Sequence, residues 1–340
     1  MKLLRQMIAL CAFVGALGVF TPALAEDTPQ AASEKKPAKD IVLKGDAKCT
    51  GCHDESDEPQ PSMLDLHPQV LTIGQTKHGV RGDSRTPTCT NCHGESEKHI
   101  NYKGSGKPPK ADHTYTKGTV TPVAERNAAC LSCHQKDDNR HLWAGSAHES
   151  NDVACTSCHQ MHTAHDKVRD KKTQAEVCFT CHKEQRADSH KISTHPIDAG
   201  KVACSDCHNP HGSTGPKLLK KNTVTETCFT CHAEKRGPFL FAHQPVTEDC
   251  TNCHTPHGSN IAPLLKTRSP FMCQECHDGS HASGTAVGPN AAGYQGGLGT
   301  TNAATTNRLY PSANNVGSGC LNCHRQIHGS NSPAGGYLQR

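Results

Sequence analysis

Ten times in this chain two cysteines stand three positions apart with a histidine directly after the second. The sets are Cys49, Cys52 and His53; Cys89, Cys92 and His93; Cys130, Cys133 and His134; Cys155, Cys158 and His159; Cys178, Cys181 and His182; Cys204, Cys207 and His208; Cys228, Cys231 and His232; Cys250, Cys253 and His254; Cys273, Cys276 and His277; and Cys320, Cys323 and His324. Two thiols at this spacing can add covalently to the vinyl groups of a haem, and the next residue can turn its imidazole onto the iron. Zinc can use paired cysteines, but it needs no histidine at that place in every copy. A disulfide framework does not need one gap repeated ten times. The motifs use 20 of the 21 cysteines, and they predict ten covalently bound c-type haems, each with its motif histidine as proximal ligand.

The second axial ligand decides the chemistry. An iron closed on both faces by protein passes electrons, whereas an open position binds substrate. Past residue 25 the methionines are only Met63, Met161 and Met272, so histidine must serve most irons. Fifteen of the 25 histidines lie outside the motifs. Taking the motifs in pairs, the second of each pair is bracketed by His78 and His99, by His148 and His162, by His195 and His211, and by His243 and His257, while the last pair has His281 and His328. These ten predict bis-histidine ligation throughout and no catalytic haem. A histidine three residues past a proximal one cannot readily turn back onto the same iron. His162, His211 and His257 are therefore expected on neighbouring haems, cross-linking successive ones into a close stack. His67, His141 and His190 are the alternatives to His78, His148 and His195. Otherwise these three, with His113 and His165, sit at the surface or against haem propionates.

The elements that must position these groups repeat. Glu176-Val177-Cys178-Phe179-Thr180-Cys181-His182 returns as Glu226-Thr227-Cys228-Phe229-Thr230-Cys231-His232. Cys207-His208-Asn209-Pro210-His211-Gly212-Ser213 returns as Cys253-His254-Thr255-Pro256-His257-Gly258-Ser259, each followed by Leu-Leu-Lys. Five two-haem units cover the chain. Hydrophobic residues are 34% and aromatics 4%, too few for an ordinary core, so the porphyrins must supply it. The haem-free chain is accordingly expected to be unfolded. With 29 glycines and 21 prolines, secondary structure should be sparse: mostly loops, short α-helices such as 173–186 and 223–236, and little or no β-sheet. Segments 26–44, 101–121 and 283–319 break the period and read as surface loops, the last long enough to meet a partner.

Residues 1–25 form a leader, with Lys2 and Arg5 before an apolar run and Ala23-Leu24-Ala25 as the cleavage site. Cys11 leaves with it. No later stretch is long and apolar enough for a membrane-spanning helix, which points to an exported protein of the periplasm. The formal charge of +4 falls to +2 without Lys2 and Arg5, before the propionates add negative charge, and a nucleic-acid partner is excluded on that balance.

From about Asp46 to Arg340 the chain resembles the periplasmic decahaem cytochromes of the MtrA/DmsE type. The residues that carry the resemblance include Ala154-Cys155-Thr156-Ser157-Cys158-His159-Gln160, Cys204-Ser205-Asp206-Cys207-His208-Asn209-Pro210-His211-Gly212, Ala233-Glu234-Lys235-Arg236-Gly237-Pro238, and Cys320-Leu321-Asn322-Cys323-His324 with His328-Gly329-Ser330-Asn331. The resemblance implies an elongated multihaem cytochrome c of two pentahaem halves, here 45–200 and 201–340, after a lead-in at 26–44. It implies distal histidines at the ten positions above and a place at the outer membrane, inside a β-barrel porin. Electrons would pass between periplasmic or inner-membrane cytochromes and an extracellular multihaem cytochrome or surface reductase, with metals as ultimate donor or acceptor. The chain departs from the family at 102–121, at His67 and in the larger loop 283–319. Two rivals remain: a multihaem reductase of nitrite, hydroxylamine or a sulfur oxyanion, and a freely diffusing electron shuttle.

Overall fold

A chain with so few apolar side chains can bury little of itself. In the computed structural model the buried hydrophobic residues, among those described, are Leu43, Trp143, Ala154, Ala175, Ala203 and Leu265, and three of these six are alanines. That is far below what a chain of this length needs to offset its conformational entropy from side chains alone. The structure describes residues 39–53, 70–116, 118–277, 320–322, 324–333 and 338. The expected leader, most of the lead-in, the loop 283–319, His67, His281 and Cys323 lie outside the described residues. The described residues belong to one unit, Lys39–Arg340.

The longest helix, Val123–His134, has 12 residues. Pro122 precedes it and Glu125 sits in its first turn, both favourable at a helix start. Its last turn is the third motif. The other helices span four to seven residues, for example Cys89–His93, Gln174–Cys178, Lys183–Ser189, Cys204–Cys207 and Val224–Phe229. No strand forms among the described residues; isolated bridges join Ser193 to Ser259, His208 to Leu219, Phe241 to Ser330 and His254 to Leu265.

The expected helices 173–186 and 223–236 are each broken at the motif. Gln174–Cys178 stops and Lys183–Ser189 begins after His182, whose φ/ψ of −81/69° is not helical. Val224–Phe229 likewise gives way to a short 3-10 turn, Ala233–Lys235, after His232 at −100/49°.

Packing follows the two-haem unit. Val123–His134 rests on the turn at Cys155–Ser157, Gln174–Cys178 on Cys204–Cys207, and Val224–Phe229 on Cys250–Asn252. Helix Cys89–His93 also packs on Val123–His134 and so joins two units.

Candidate haem-binding row

The described motifs are each built as a single helical turn. In six of them the carbonyl of the first cysteine accepts from both the second cysteine N–H and the histidine N–H: Cys155 O receives Cys158 N at 3.2 Å and His159 N at 2.9 Å, and Cys228 O receives Cys231 N at 3.1 Å and His232 N at 2.9 Å. Positions i, i+3 and i+4 of one turn share a face. Two sulfurs and one imidazole are therefore presented together, which is the set a covalently attached, axially ligated haem requires.

Opposite nine of the motif histidines the fold places a second imidazole. The facing pairs are His53 with His99, His134 with His78, His93 with His162, His182 with His148, His159 with His211, His232 with His195, His208 with His257, His277 with His243 and His254 with His328, with ring centroids 5.9–6.4 Å apart. One metal ion bound by two imidazoles at about 2 Å each separates their centroids by roughly 6 Å. The gap thus fits a single iron, and the residues fit the haem. Every distal candidate from the sequence, apart from His281, stands in such a pair. His324 is described, while His281 lies outside the described residues.

His162, His211 and His257 do not face the haem next in line. They face the motif histidine of the next-but-one, His93, His159 and His208. The loops that carry two of them explain this. Asn209 N donates to Leu218 O at 2.7 Å and Lys220 N to Cys207 O at 2.8 Å, closing the loop at its neck; Thr255 N to Leu264 O and Lys266 N to Cys253 O repeat the closure at 2.8 and 2.9 Å. The histidine at the tip is projected away from its own motif. Gly212 and Gly258, with φ of +114° and +150°, follow these histidines where the chain runs against older backbone: a Cβ would lie 2.0 Å from Leu142 O and 1.9 Å from Asp188 O. Only glycine fits there.

In nine of the paired imidazoles Nδ1 is engaged, which leaves Nε2 for a metal. His93 is held by His113 O at 3.0 Å, His99 by Pro109 O at 2.6 Å, His148 by Pro210 O at 2.7 Å, His162 by Val70 O at 3.0 Å and His195 by Pro256 O at 2.9 Å. His208 is held by Lys217 O and His254 by Pro263 O, each at 2.9 Å. Two differ: His134 meets the Asp137 carboxylate at 2.9 Å and His159 meets Asp166 at 2.8 Å. Burial lowers the pKa of His78, His93, His134, His243, His257 and His328, and takes His211 to about 4. Neutral imidazole is the form that ligates.

The sulfurs define the order of the row. Cys49 meets Cys89, Cys130 meets Cys155, Cys178 meets Cys204, Cys228 meets Cys250 and Cys273 meets Cys320, so within each unit the first cysteines adjoin. Between units the second cysteines act on one another through space: Cys92 and Cys133, Cys158 and Cys181, Cys207 and Cys231, Cys253 and Cys276. The motifs are therefore linked in chain order, through first cysteines within units and through second cysteines between them.

Of the remaining histidines, His141 is exposed with Nδ1 on Asp138 O at 2.6 Å, His165 pairs with Asp170 at 3.3 Å, and His190 lies 3.8 Å from Asp198. His113 stands against the chain beside His93, its N–H donating to His93 O at 3.2 Å. None of these four faces a motif histidine in the way His78, His148 and His195 do. The Nδ1 acceptors escaped sequence reasoning because a backbone carbonyl leaves no side-chain signature. Asp137, three residues after His134, was the one visible hint.

Residues 195–237 and 243–282 match the doubled CXXCH motif family, and residues 89–173 match the cytochrome c-type protein NrfB-like family. The chain is 44% identical over 303 residues, covering 87% of it and 82% of the relative, to the multiheme cytochrome MtrA of Shewanella baltica. It is 31% identical over 148 residues, 41% of the chain and 65% of the relative, to cytochrome c-type protein NrfB of Haemophilus influenzae, and 28% identical over 148 residues, 42% and 68%, to that of Escherichia coli. No helix among the described residues is long and apolar enough to cross a membrane. The chain belongs to the MtrA family of multihaem cytochromes, electron-transfer proteins that carry covalently bound c-type haems.

Proposed function

We propose that the ten motifs hold ten haems, each closed by two imidazoles, and that the chain carries electrons along the row they form. The observation that supports this most is the set of nine facing imidazole pairs at 5.9–6.4 Å. For the tenth iron, at His324, the distal ligand is the one read from the sequence, His281. When bound, each haem supplies a one-electron site. The residues do the rest: paired sulfurs fix each plate, two imidazoles hold the same coordination in both oxidation states so that little rearranges on transfer, and the alternating cysteine junctions bring neighbouring plates together. With each iron closed, the chain is a carrier and not an enzyme.

The row runs through two five-haem halves, 45–200 and 201–340, and serves as a conduit of the periplasm at the outer membrane. It sits within a β-barrel porin and exchanges electrons with periplasmic or inner-membrane cytochromes at one end and an extracellular multihaem cytochrome or surface reductase at the other. Family membership across 87% of the chain supports this setting. A diffusing shuttle is the second reading, favoured by the likeness of 148 residues to the NrfB proteins. Co-purification from native membranes with a large barrel protein supports the conduit; recovery only in the soluble periplasmic fraction supports the shuttle.

Electron paramagnetic resonance of the oxidised holoprotein tests the ligation. Near-parallel imidazole planes leave the iron d orbitals split and give rhombic low-spin signals; near-perpendicular planes bring them together and give strongly anisotropic ones. Five pairs lie at 11–25° and two, His78 with His134 and His148 with His182, at 75° and 78°. Both signal types should appear, the rhombic one dominating. A high-spin ferric signal worth one haem or more would overturn the reading.

A further inference from the structure

The nine facing pairs differ in what holds their Nδ1 atoms, and the difference concentrates on one motif. Seven of the engaged imidazoles donate to backbone carbonyls, which are neutral acceptors. Glu234 lies 3.8 Å from His232, too far for a hydrogen bond. Only His134 and His159 donate to carboxylates, and these two sites are not alike. At His134 the carboxylate of Asp137 is ion-paired with the Arg140 guanidinium, and the His134 and Asp137 side chains are 42% and 43% exposed. At His159 the Asp166 oxygens accept the imidazole at 2.8 Å and the Gln160 N–H at 3.3 Å, and the side chains are 27% and 14% exposed. No lysine or arginine pairs with Asp166 among the described residues. Arg140 acts on His211, the imidazole facing His159, and on Cys155 through space only, while its direct contacts are to Asp137 and His134.

We infer that Asp166 makes the iron at the Cys155–His159 motif the most reducing of the nine sites whose facing imidazoles are described. The inference rests on the bis-histidine reading. A carboxylate drawing on the Nδ1 proton gives the imidazole imidazolate character, which makes it a stronger donor to iron and favours the ferric state. Partial burial keeps that charge from being screened. Asp166 is a positioning residue with an electronic effect: it orients His159 and sets its basicity. Fourth in order, this motif is the last of these nine to accept an electron and the first to give one up. It divides the three motifs before it from the six after.

Spectropotentiometric titration of the full holoprotein against Asp166→Asn tests this. Asparagine retains an acceptor oxygen without the charge. One haem's share of the absorbance change should leave the low-potential end of the titration, with a reduction equilibrium constant raised about tenfold, about 59 mV for one electron. Asp137→Asn should shift its site less, because Arg140 already offsets the charge. Arg140→Gln should unmask Asp137 and add a second low-potential component. If Asp166→Asn fails to assemble, Arg140→Gln alone decides: no new low-potential component overturns the inference. A low-spin Asp166→Asn protein with an unmoved low-potential end also overturns it, and leaves the ligation reading intact. A high-spin iron in the unsubstituted protein overturns the ligation reading instead.

Discussion

The first two-haem unit and the three that follow it use the same station differently. Three or four residues before the first cysteine of these units stand Asp46, Asn127, Gln174 and Thr225, all buried polar residues. The later three reach forward to the second motif of their unit. Asn127 donates to Val153 O at 3.2 Å and accepts from Cys155 N at 2.9 Å; Gln174 accepts from Ser205 N at 2.8 Å; Thr225 donates to Glu248 O at 3.2 Å. Asp46 reaches backward and collects the N–H groups of Ile41, Val42 and Leu43 at 2.8, 2.6 and 2.6 Å. The imidazoles repeat the contrast. His53 faces His99 of its own unit, whereas His159 faces His211 of the next unit and His182 faces His148 of the one before. The interior is knitted across units, and the first motif is secured locally.

The strongest way to break that contrast is to remove one imidazole from each region. His211→Ala should open the iron at His159, shown by a high-spin ferric signal and carbon monoxide binding by the reduced protein. It should also cut a tie between units, at a cost on the order of 3 kcal/mol. His99→Ala should open the iron at His53 with the same spectral change, yet lower the thermal midpoint less, because its partner lies in the same unit. Equal falls in midpoint, followed by Soret circular dichroism, would remove the distinction.

Backbone crowding offers a smaller but cleaner comparison. Gly258→Ala places a Cβ 1.9 Å from Asp188 O at φ +150°, so either His257 or the 188 backbone must shift. A loss of about 2 kcal/mol is expected, with a change in the spectrum of the iron at His208. Gly51→Ala, inside the first motif, has φ −61° and its nearest atom 3.5 Å away. It should change stability by no more than roughly 0.5 kcal/mol, if anything upward. A large loss at Gly51 would mean that the first motif is as tightly enclosed as the interior.

What was legible in the chain divides along the same line of local against distant. Two sulfurs and an imidazole at i, i+3 and i+4 are one helical turn, so the motifs announce their geometry within five residues. That the spare histidines at bracketing stations would be brought to motif histidines also followed from counting. Which imidazole meets which did not. His211 reaches His159 across some fifty residues because the loop 209–218 is closed at its neck, and no side chain marks that closure except the glycines after His211 and His257. Helices read across 173–186 and 223–236 broke because propensity is blind to the turn at His182 and His232. The carbonyls that hold seven Nδ1 atoms carry no residue identity at all.

The most discriminating comparison sets Asn127 against Asp46. Asn127→Ala leaves the Cys155 N–H and Val153 carbonyl without their partner inside the fold, a cost of about 1–2 kcal/mol. Because that bond joins two motifs, the cost should appear in global unfolding. Asp46→Asn removes the charge from a carboxylate that receives three N–H groups of consecutive residues. One of its oxygens becomes an NH2 that opposes a donor, so the segment 41–43 should open more readily. Yet the Asp46 carboxylate bonds only toward the start of the chain, so the remaining motifs should not feel the loss of its charge. Hydrogen exchange should quicken by about tenfold at 41–43, equivalent to about 1.4 kcal/mol of local opening, with exchange at 155–159 unchanged. If exchange quickens equally at both places, Asp46 and Asn127 do the same work and the first motif is bound into the row as firmly as the others.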